Sequence, residues 1–214
     1  MFVNLHTHQP LLSPDTLEIE SVWLGQAKEP LSPHLSVGLH PWHLTGFDSK
    51  SAEKWLREQA ARPEVIAIGE AGLDKVTSTS WDLQVLAFQW CIQISEAYQK
   101  PLVIHCVRAF SEILALKKQQ KPTQPWIFHG FEKNLKTAAM LLNAGCWLSF
   151  GSALFRENSH AAEALRQTPG DFLFLETDMS DFSIQEVYER AAAIRGVGLE
   201  DLKKQTWSNY KALF

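Results

Sequence analysis

The sequence has few cysteines, no long hydrophobic run and no excess of basic residues. Its three cysteines, Cys91, Cys106 and Cys146, form no CxxC pair, which argues against a disulfide framework or a zinc finger. No apolar run reaches the ~18 residues of a membrane span, and the first residues lack the basic and apolar regions of a signal peptide. The balance of 20 Lys+Arg against 24 Asp+Glu excludes a generally basic nucleic-acid coat, although not a local phosphate site. We therefore expect a cytoplasmic protein with no membrane association and no obligate protein partner.

The overall composition is that of a globular protein. The 214 residues are 45% hydrophobic and 21% charged. A chain of this length can bury a full core without disulfides. We expect one domain over residues 1–214.

Short apolar runs alternate with longer segments that have helical periodicity. Such alternation predicts a parallel sheet with right-handed crossovers. The predicted strands are 2–5, 19–24, 35–39, 65–69, 102–104, 126–128, 146–150 and 172–175. The predicted helices are 81–98, 110–116, 135–144, 159–167, 184–194 and 199–213.

Eight parallel strands can close into a (β/α)8 barrel. The length is close to the lower limit for such barrels, and the connections 8–18 and 25–34 are rich in Pro and Ser and too short for ordinary helices. The sequence therefore predicts a TIM (β/α)8-like barrel, trimmed so that it lacks its first two outer helices. The alternative is an open doubly wound sheet, which would require a Gly-rich turn after the first strand, where none is present.

Side chains of the metal-ligand type stand at the ends of the predicted strands. His6 and His8 are two positions apart, so in an extended segment they point to the same side. The C-terminal ends of the strands carry the active site in barrels of this kind. Burying these imidazoles and carboxylates without a partner would be costly, and a divalent ion removes that cost. The predicted metal ligands are His6, His8, Glu70, His105, His129 and Asp178.

This donor set is too large for one tetrahedral ion. Four imidazoles and two carboxylates can hold two ions, with one carboxylate bridging them. Imidazole favours Zn, Fe, Ni or Mn, while the carboxylates leave Mg and Mn open. Two ions roughly 4 Å apart would activate a bridging water for phosphoester hydrolysis, and one ion would suffice for an amide or an ester.

The ordered motifs resemble those of the TatD family of metal-dependent hydrolases over nearly the whole chain. The C-terminal Thr206-x-x-Asn209-x-x-x-Leu213-Phe214 is also similar to the usual end of that family. The resemblance implies a TIM barrel with a divalent metal centre, in a family whose members include deoxyribonucleases. The motifs are His6-Thr7-His8, Gly38-Leu39-His40-Pro41, Gly69-Glu70-Ala71-Gly72-Leu73-Asp74, Pro101-Leu102-Val103-Ile104-His105-Cys106, His129-Gly130-Phe131 and Leu175-Glu176-Thr177-Asp178.

Roles for individual residues follow from this resemblance. It implies that His6, His8 and Asp178 hold one ion. Glu70 would bridge to a second ion, which His105 and His129 would also hold. Asp178 is the candidate to orient or deprotonate the attacking water.

The resemblance also suggests residues for contacts with the substrate. His40 is a candidate for contact with a phosphate or the leaving group, and the alternative is a loop histidine stacked on its neighbours. Arg156 is a candidate phosphate ligand, and the alternative is a solvated residue at a helix start. Asp74 fits the Gly-Leu-Asp of the family, with a structural role in its loop as the alternative.

Four departures from the family pattern affect the expected substrate. The early segment lacks room for the first helices. Val107 stands where the family usually has Arg, and Arg108 comes one position later. Lys75 stands where the family usually has an aromatic residue. The long loop that usually follows the last aspartate is missing after Asp178.

We expect a phosphodiesterase or deoxyribonuclease that acts on a phosphodiester, such as single-stranded or short DNA. The alternatives are a hydrolase of C–N or carboxylic ester bonds, and a non-catalytic metal-binding barrel.

Overall fold

The computed structural model describes residues 1–46 and 48–214. Within these residues the chain forms eight β-strands and seven α-helices, which alternate from the third strand onward. The strands are β1 (Phe2–Thr7), β2 (Thr16–Trp23), β3 (His34–Gly38), β4 (Val65–Asp74), β5 (Leu102–Val107), β6 (Trp126–Phe128), β7 (Trp147–Phe150) and β8 (Leu173–Leu175). The helices are α1 (Ser49–Ala60), α2 (Trp81–Tyr98), α3 (Phe110–Gln120), α4 (Leu135–Asn143), α5 (His160–Gln167), α6 (Ile184–Arg195) and α7 (Leu199–Leu213).

The strands are hydrogen-bonded in chain order, from β1 through β8. The pairs β1–β2, β3–β4, β4–β5 and β7–β8 are parallel, and an isolated parallel bridge joins Thr7 of β1 to Asp178 just after β8. The connections 8–15 and 24–33, both fully described, contain no helix. These features confirm the predicted TIM (β/α)8-like class and the loss of its first two outer helices.

Backbone contacts divide the chain into two compact units. The terminal unit comprises Met1–Glu20 and Phe128–Phe214, and the central unit comprises Ser21–Ile127. The core of the terminal unit includes Leu5 and Phe150, and that of the central unit includes Ile68 and Phe88, all fully buried. The single-domain assignment stays a prediction.

Local signals in the sequence place most helix ends. The side chain of Ser80 caps α2, and Ser183 and Glu186 form a reciprocal capping box at the start of α6. Gly196 follows α6 in the left-handed conformation, which glycine adopts without strain. Helix α3 continues to Gln120, beyond the predicted end at 116, because its polar last turn has no helix breaker.

The structure corrects several element boundaries. Strands β1, β4 and β5 run further than predicted, so His6, Glu70 and His105 lie within strands rather than after them. The extension of β4 is explained by its ladder with β5, which continues to the end of both strands. Strand β2 begins and ends earlier than predicted, β3 ends at Gly38, and β7 and β8 each begin one residue later.

Helix α1 was not predicted from the sequence. Its buried positions are Ala52, Leu56 and Ala60, which share one face at a spacing of four residues. Most of its other residues are charged or polar, so the apolar face is narrow and gives a weak periodic signal.

In the part of the chain that the structure describes, every helix is too short or too polar to cross a bilayer.

Candidate metal centre

Strands β1 and β8 bring three predicted ligands together in the terminal unit. The backbone N–H of Asp178 donates to the carbonyl of His6 at 2.9 Å, and that of His8 donates to the carbonyl of Asp178 at 3.2 Å. Asp178 has a φ of 53°, in the left-handed region that Asp tolerates better than most residues. The parallel register of the two strand ends therefore places Asp178 against the His-Thr-His segment.

The side chains of this trio have the spacing of ligands around one ion. Asp178 Oδ1 lies 3.7 Å from His6 Nε2 and 3.6 Å from His8 Nε2, which is too far for hydrogen bonds. Ligand atoms about 2.0–2.2 Å from a tetrahedral ion lie roughly 3.3–3.6 Å from one another. Each imidazole nitrogen therefore lies about as far from the carboxylate oxygen as two ligands of a zinc-type ion lie from one another.

A buried amide holds the two strand ends in register. Asn4 Nδ2 donates to Thr177 Oγ1 at 2.9 Å, and the Thr177 backbone N–H donates to Asn4 Oδ1 at 3.0 Å. Glu18 accepts a hydrogen bond from Asn4 at 3.4 Å and from the backbone N–H groups of Leu11 and Leu12 at 2.9 and 2.7 Å. Asn4 thus fixes the residue that precedes Asp178.

His129 also belongs to the terminal unit. Its ring lies 4.2 Å from the ring of His6, and its Nδ1 lies 3.4 Å from Glu176 Oε1, which also accepts from the Gly130 backbone N–H at 2.6 Å. Burial favours a raised pKa for Glu176, but the hydrogen bond of His129 and the charges of His129 and His6 outweigh it and hold the pKa below its ordinary value. A buried carboxylate that orients a histidine is the usual support of a metal ligand.

The central unit holds a second cluster around Glu70. Glu70 Oε1 lies 3.0 Å from His40 Nε2 and 2.8 Å from His105 Nδ1. The Trp42 backbone N–H donates to His40 Nδ1 at 3.1 Å, so that nitrogen is an acceptor and the His40 proton sits on Nε2, facing Glu70. Burial lowers the pKa of His40, and the opposing hydrogen bond and charge of Glu70 do not restore it, so His40 is neutral near pH 7.

Asp74 closes this cluster on the far side of His105. Its Oδ2 lies 3.3 Å from His105 Nε2 and accepts from Trp42 Nε1 at 2.7 Å, and its Oδ1 accepts from the Val76 backbone N–H at 2.7 Å. Burial favours a raised pKa for Asp74, but these hydrogen bonds lower it below its ordinary value. Both ring nitrogens of His105 therefore face carboxylates.

Two glycines allow the backbones of this cluster to approach closely. A Cβ at Gly72 would lie 1.9 Å from the carbonyl oxygen of His105, and one at Gly38 would lie 2.2 Å from that of Glu70. Any side chain at either position would displace the strand that carries the candidate ligand.

The two remaining substrate candidates differ in their surroundings. His40 is 6% exposed and its imidazole faces Glu70, so it belongs to the central cluster, and it also meets Trp42 edge-to-face at 5.1 Å. The Arg156 side chain is 65% exposed and forms an ion pair with Glu132 at 2.6 Å.

The structure thus groups the predicted residues within each unit. In the terminal unit, His6, His8 and Asp178 offer ligand atoms within 4.8 Å of one another, as do Glu70, His105 and His40 in the central unit. The joint binding of an ion by Glu70, His105 and His129 stays a prediction. Glu176 and Asn4 had no role predicted from the sequence. The position of Glu176 directly after β8 was a signal that could have identified it.

Comparisons with known proteins agree with this donor chemistry. The sequence model of TatD-related DNases matches residues 9–214. The metal-dependent hydrolase YcfH of Escherichia coli K-12 is 32% identical over 195 residues, which is 84% of this chain and 72% of YcfH. The metal-dependent hydrolase TatD of Mycobacterium tuberculosis is 30% identical over 171 residues, which is 75% of this chain and 64% of that protein.

A solved structure shows the same fold. The crystal structure of YjjV, a TatD homologue from Escherichia coli K-12, superposes with a TM-score of 0.84 at 20% sequence identity, over 100% of this chain and 97% of that one. With the family match over nearly the whole sequence and the histidine–carboxylate clusters on its strands, the chain belongs to the TatD-related DNase family of metal-dependent hydrolases.

Proposed function

We propose that this metal-dependent hydrolase is a phosphodiesterase of the nuclease type that acts on single-stranded or short DNA. The observation that carries the proposal is the His6, His8 and Asp178 trio, whose ligand atoms lie within 4.8 Å of one another, close enough to share one divalent ion. The family match, described as TatD-related DNase, supports the choice of a phosphodiester.

The proposed cofactor is a pair of divalent ions, Zn, Mn or Mg. His6, His8 and Asp178 would hold one ion, and Glu70 would bridge to a second with His105 and His129. Bound ions of this kind lower the pKa of a water ligand and polarise a phosphoryl oxygen.

Two residues of the chain are suited to proton handling. The Asp178 side chain is 43% exposed, so its carboxylate can hydrogen-bond an attacking water and orient it, or accept its proton. His40 carries its proton on Nε2, and this N–H can donate to a phosphate or leaving-group oxygen if it leaves Glu70.

The ion pairing of Arg156 favours a small substrate. Arg156, the candidate phosphate ligand, is neutralised by Glu132, which also pairs with Lys133 at 2.9 Å. Affinity for long duplex DNA rises with the number of phosphates that basic side chains neutralise. We therefore propose short or single-stranded DNA as the substrate. We also propose the cytoplasm as the location of the protein.

The test compares three substrate classes on one preparation. Protein reconstituted with Zn, Mn or Mg is given a defined single-stranded oligonucleotide, a chromogenic phosphodiester, and a chromogenic ester and amide, with chelator-treated protein as the control. We expect metal-dependent turnover of the first two. Turnover of the ester or amide alone would favour a carboxylic-ester or C–N hydrolase. Metal binding without any turnover would favour a non-catalytic barrel.

A further inference from the structure

Trp42 is a large aromatic residue that is both exposed and held in place. It follows His40 and Pro41 in a short turn of 3-10 helix, and 55% of its surface is open to solvent. An exposed tryptophan is usually free to change rotamer, and an indole ring that stays in water contributes little to the stability of the fold. The neighbours of Trp42 show why this ring is different.

Hydrogen bonds fix both ends of the residue. The indole Nε1 donates to Asp74 Oδ2 at 2.7 Å, and Asp74 is 2% exposed. The backbone N–H donates to His40 Nδ1 at 3.1 Å. A charge-assisted bond to a buried carboxylate is stronger than an ordinary surface contact, so the ring is pre-organised.

The fixed ring stands beside the central cluster. It meets the ring of His40 at 5.1 Å and that of His105 at 5.7 Å, both in edge-to-face geometry. These two histidines contact Glu70 directly. A group attached to a phosphate at this cluster would therefore lie within reach of the indole.

We propose that Trp42 is a specificity-determining residue whose indole stacks on the nucleobase next to the reacting phosphate. This inference rests on the proposed function and names the part of the substrate that the site recognises. A nucleobase suits the ring because aromatic side chains stack on any base without reading its sequence, whereas a phosphate offers no apolar face. Anchoring the indole in advance removes the ordering cost that a mobile ring would bear on binding.

The test measures whether the enzyme distinguishes a base from its absence. kcat/KM is determined for a short single-stranded oligonucleotide and for the same oligonucleotide with abasic sites at the nucleotides that flank the cleaved bond. Stacking on one base contributes on the order of 1–3 kcal/mol, so the wild type should prefer the base-bearing strand by about 5- to 140-fold. Trp42→Ala should bring this ratio close to one, mainly through KM.

Two further variants make the result specific. Trp42→Phe keeps an aromatic face but loses the donor to Asp74, and it should show an intermediate ratio even if the alanine variant is unstable. Trp207→Ala removes a half-buried tryptophan that stacks on Tyr210 in α7, and it should keep the wild-type ratio. Thermal unfolding of each variant checks that it is folded.

The outcomes separate this inference from the proposed function. If the wild type cleaves both strands equally, or if Trp42→Ala and Trp42→Phe keep the wild-type preference, the stacking role is wrong while the nuclease assignment stands. If the wild type cleaves neither strand in any metal, both are wrong.

Discussion

Asn4→Ala should weaken both the fold and the metal site, because the Asn4 amide joins β1 to the segment that carries Asp178. The substitution leaves the buried Thr177 backbone N–H without its acceptor and removes the amide donor to Thr177 Oγ1. Leaving a buried polar group unsatisfied costs about 1–3 kcal/mol, so we expect a loss of this size in the free energy of unfolding. For a chain of this size that is a fall in Tm of about 2–12 °C.

A matched control separates stability from metal binding. Tyr188 is fully buried in the same unit. Its hydroxyl donates to the Val3 carbonyl oxygen at 3.1 Å, accepts from the Val3 backbone N–H at 3.1 Å, and shares a hydrogen bond with Thr206 Oγ1 at 2.6 Å. Tyr188→Phe removes these bonds at a similar cost in stability, about 1–3 kcal/mol, without touching the pair that fixes Asp178.

The assay is thermal unfolding of both variants with and without added metal. An ion at 100 times its Kd stabilises the native state by about 2.7 kcal/mol, which is readily measured. We expect the metal-induced rise in Tm to be close to that of the wild type in Tyr188→Phe and clearly smaller in Asn4→Ala. Equal metal-induced shifts in the two variants would refute the argument that Asn4 positions the ligand.

Two more predictions concern the candidate ligands themselves. Glu70→Ala removes the oxygen that His40 and His105 face, so we expect loss of bound metal by elemental analysis and of activity, with a folded protein by circular dichroism. Activity at full metal occupancy would show that Glu70 is not a ligand. Asp178→Asn keeps the size of the side chain but removes the base, so turnover should fall on the order of 10²–10⁴-fold even when the variant is saturated with metal. Normal turnover in that variant would exclude Asp178 from proton transfer.

Much of the fold could be predicted from apolar runs because parallel strands in a barrel are buried on both faces. The run that begins at Val65 and the helix at Trp81–Tyr98 are examples, and the latter was predicted to the residue. The ends of strands were less predictable, since Gly72 and Asp74 join β4 through pairing with β5 rather than through their own propensity. Helix α1 was missed because its buried face consists of little more than Leu56 and two alanines.

The residues of the candidate site also differ in whether the sequence could predict them. Residues such as His8 could be singled out because imidazoles directly beside apolar runs are uncommon and chemically distinctive. The supporting residues could not be singled out in this way. The role of Asn4 depends on Thr177, which lies 173 positions away, and the role of Glu176 depends on His129. A buried amide or carboxylate has no pattern of its own in the sequence, and its partners become visible only when the strands are paired.

The discontinuous make-up of the terminal unit has a consequence for biosynthesis. His6 and His8 precede the central unit in the chain and Asp178 follows it, so Asp178 is synthesised only after the whole central unit. During translation the early histidines therefore lack the carboxylate that would complete a chelating trio, and long-range closure of this kind is slow. Metal capture by the proposed trio would consequently be a late event in maturation, because a nascent chain stalled before Asp178 would lack one of its three ligands.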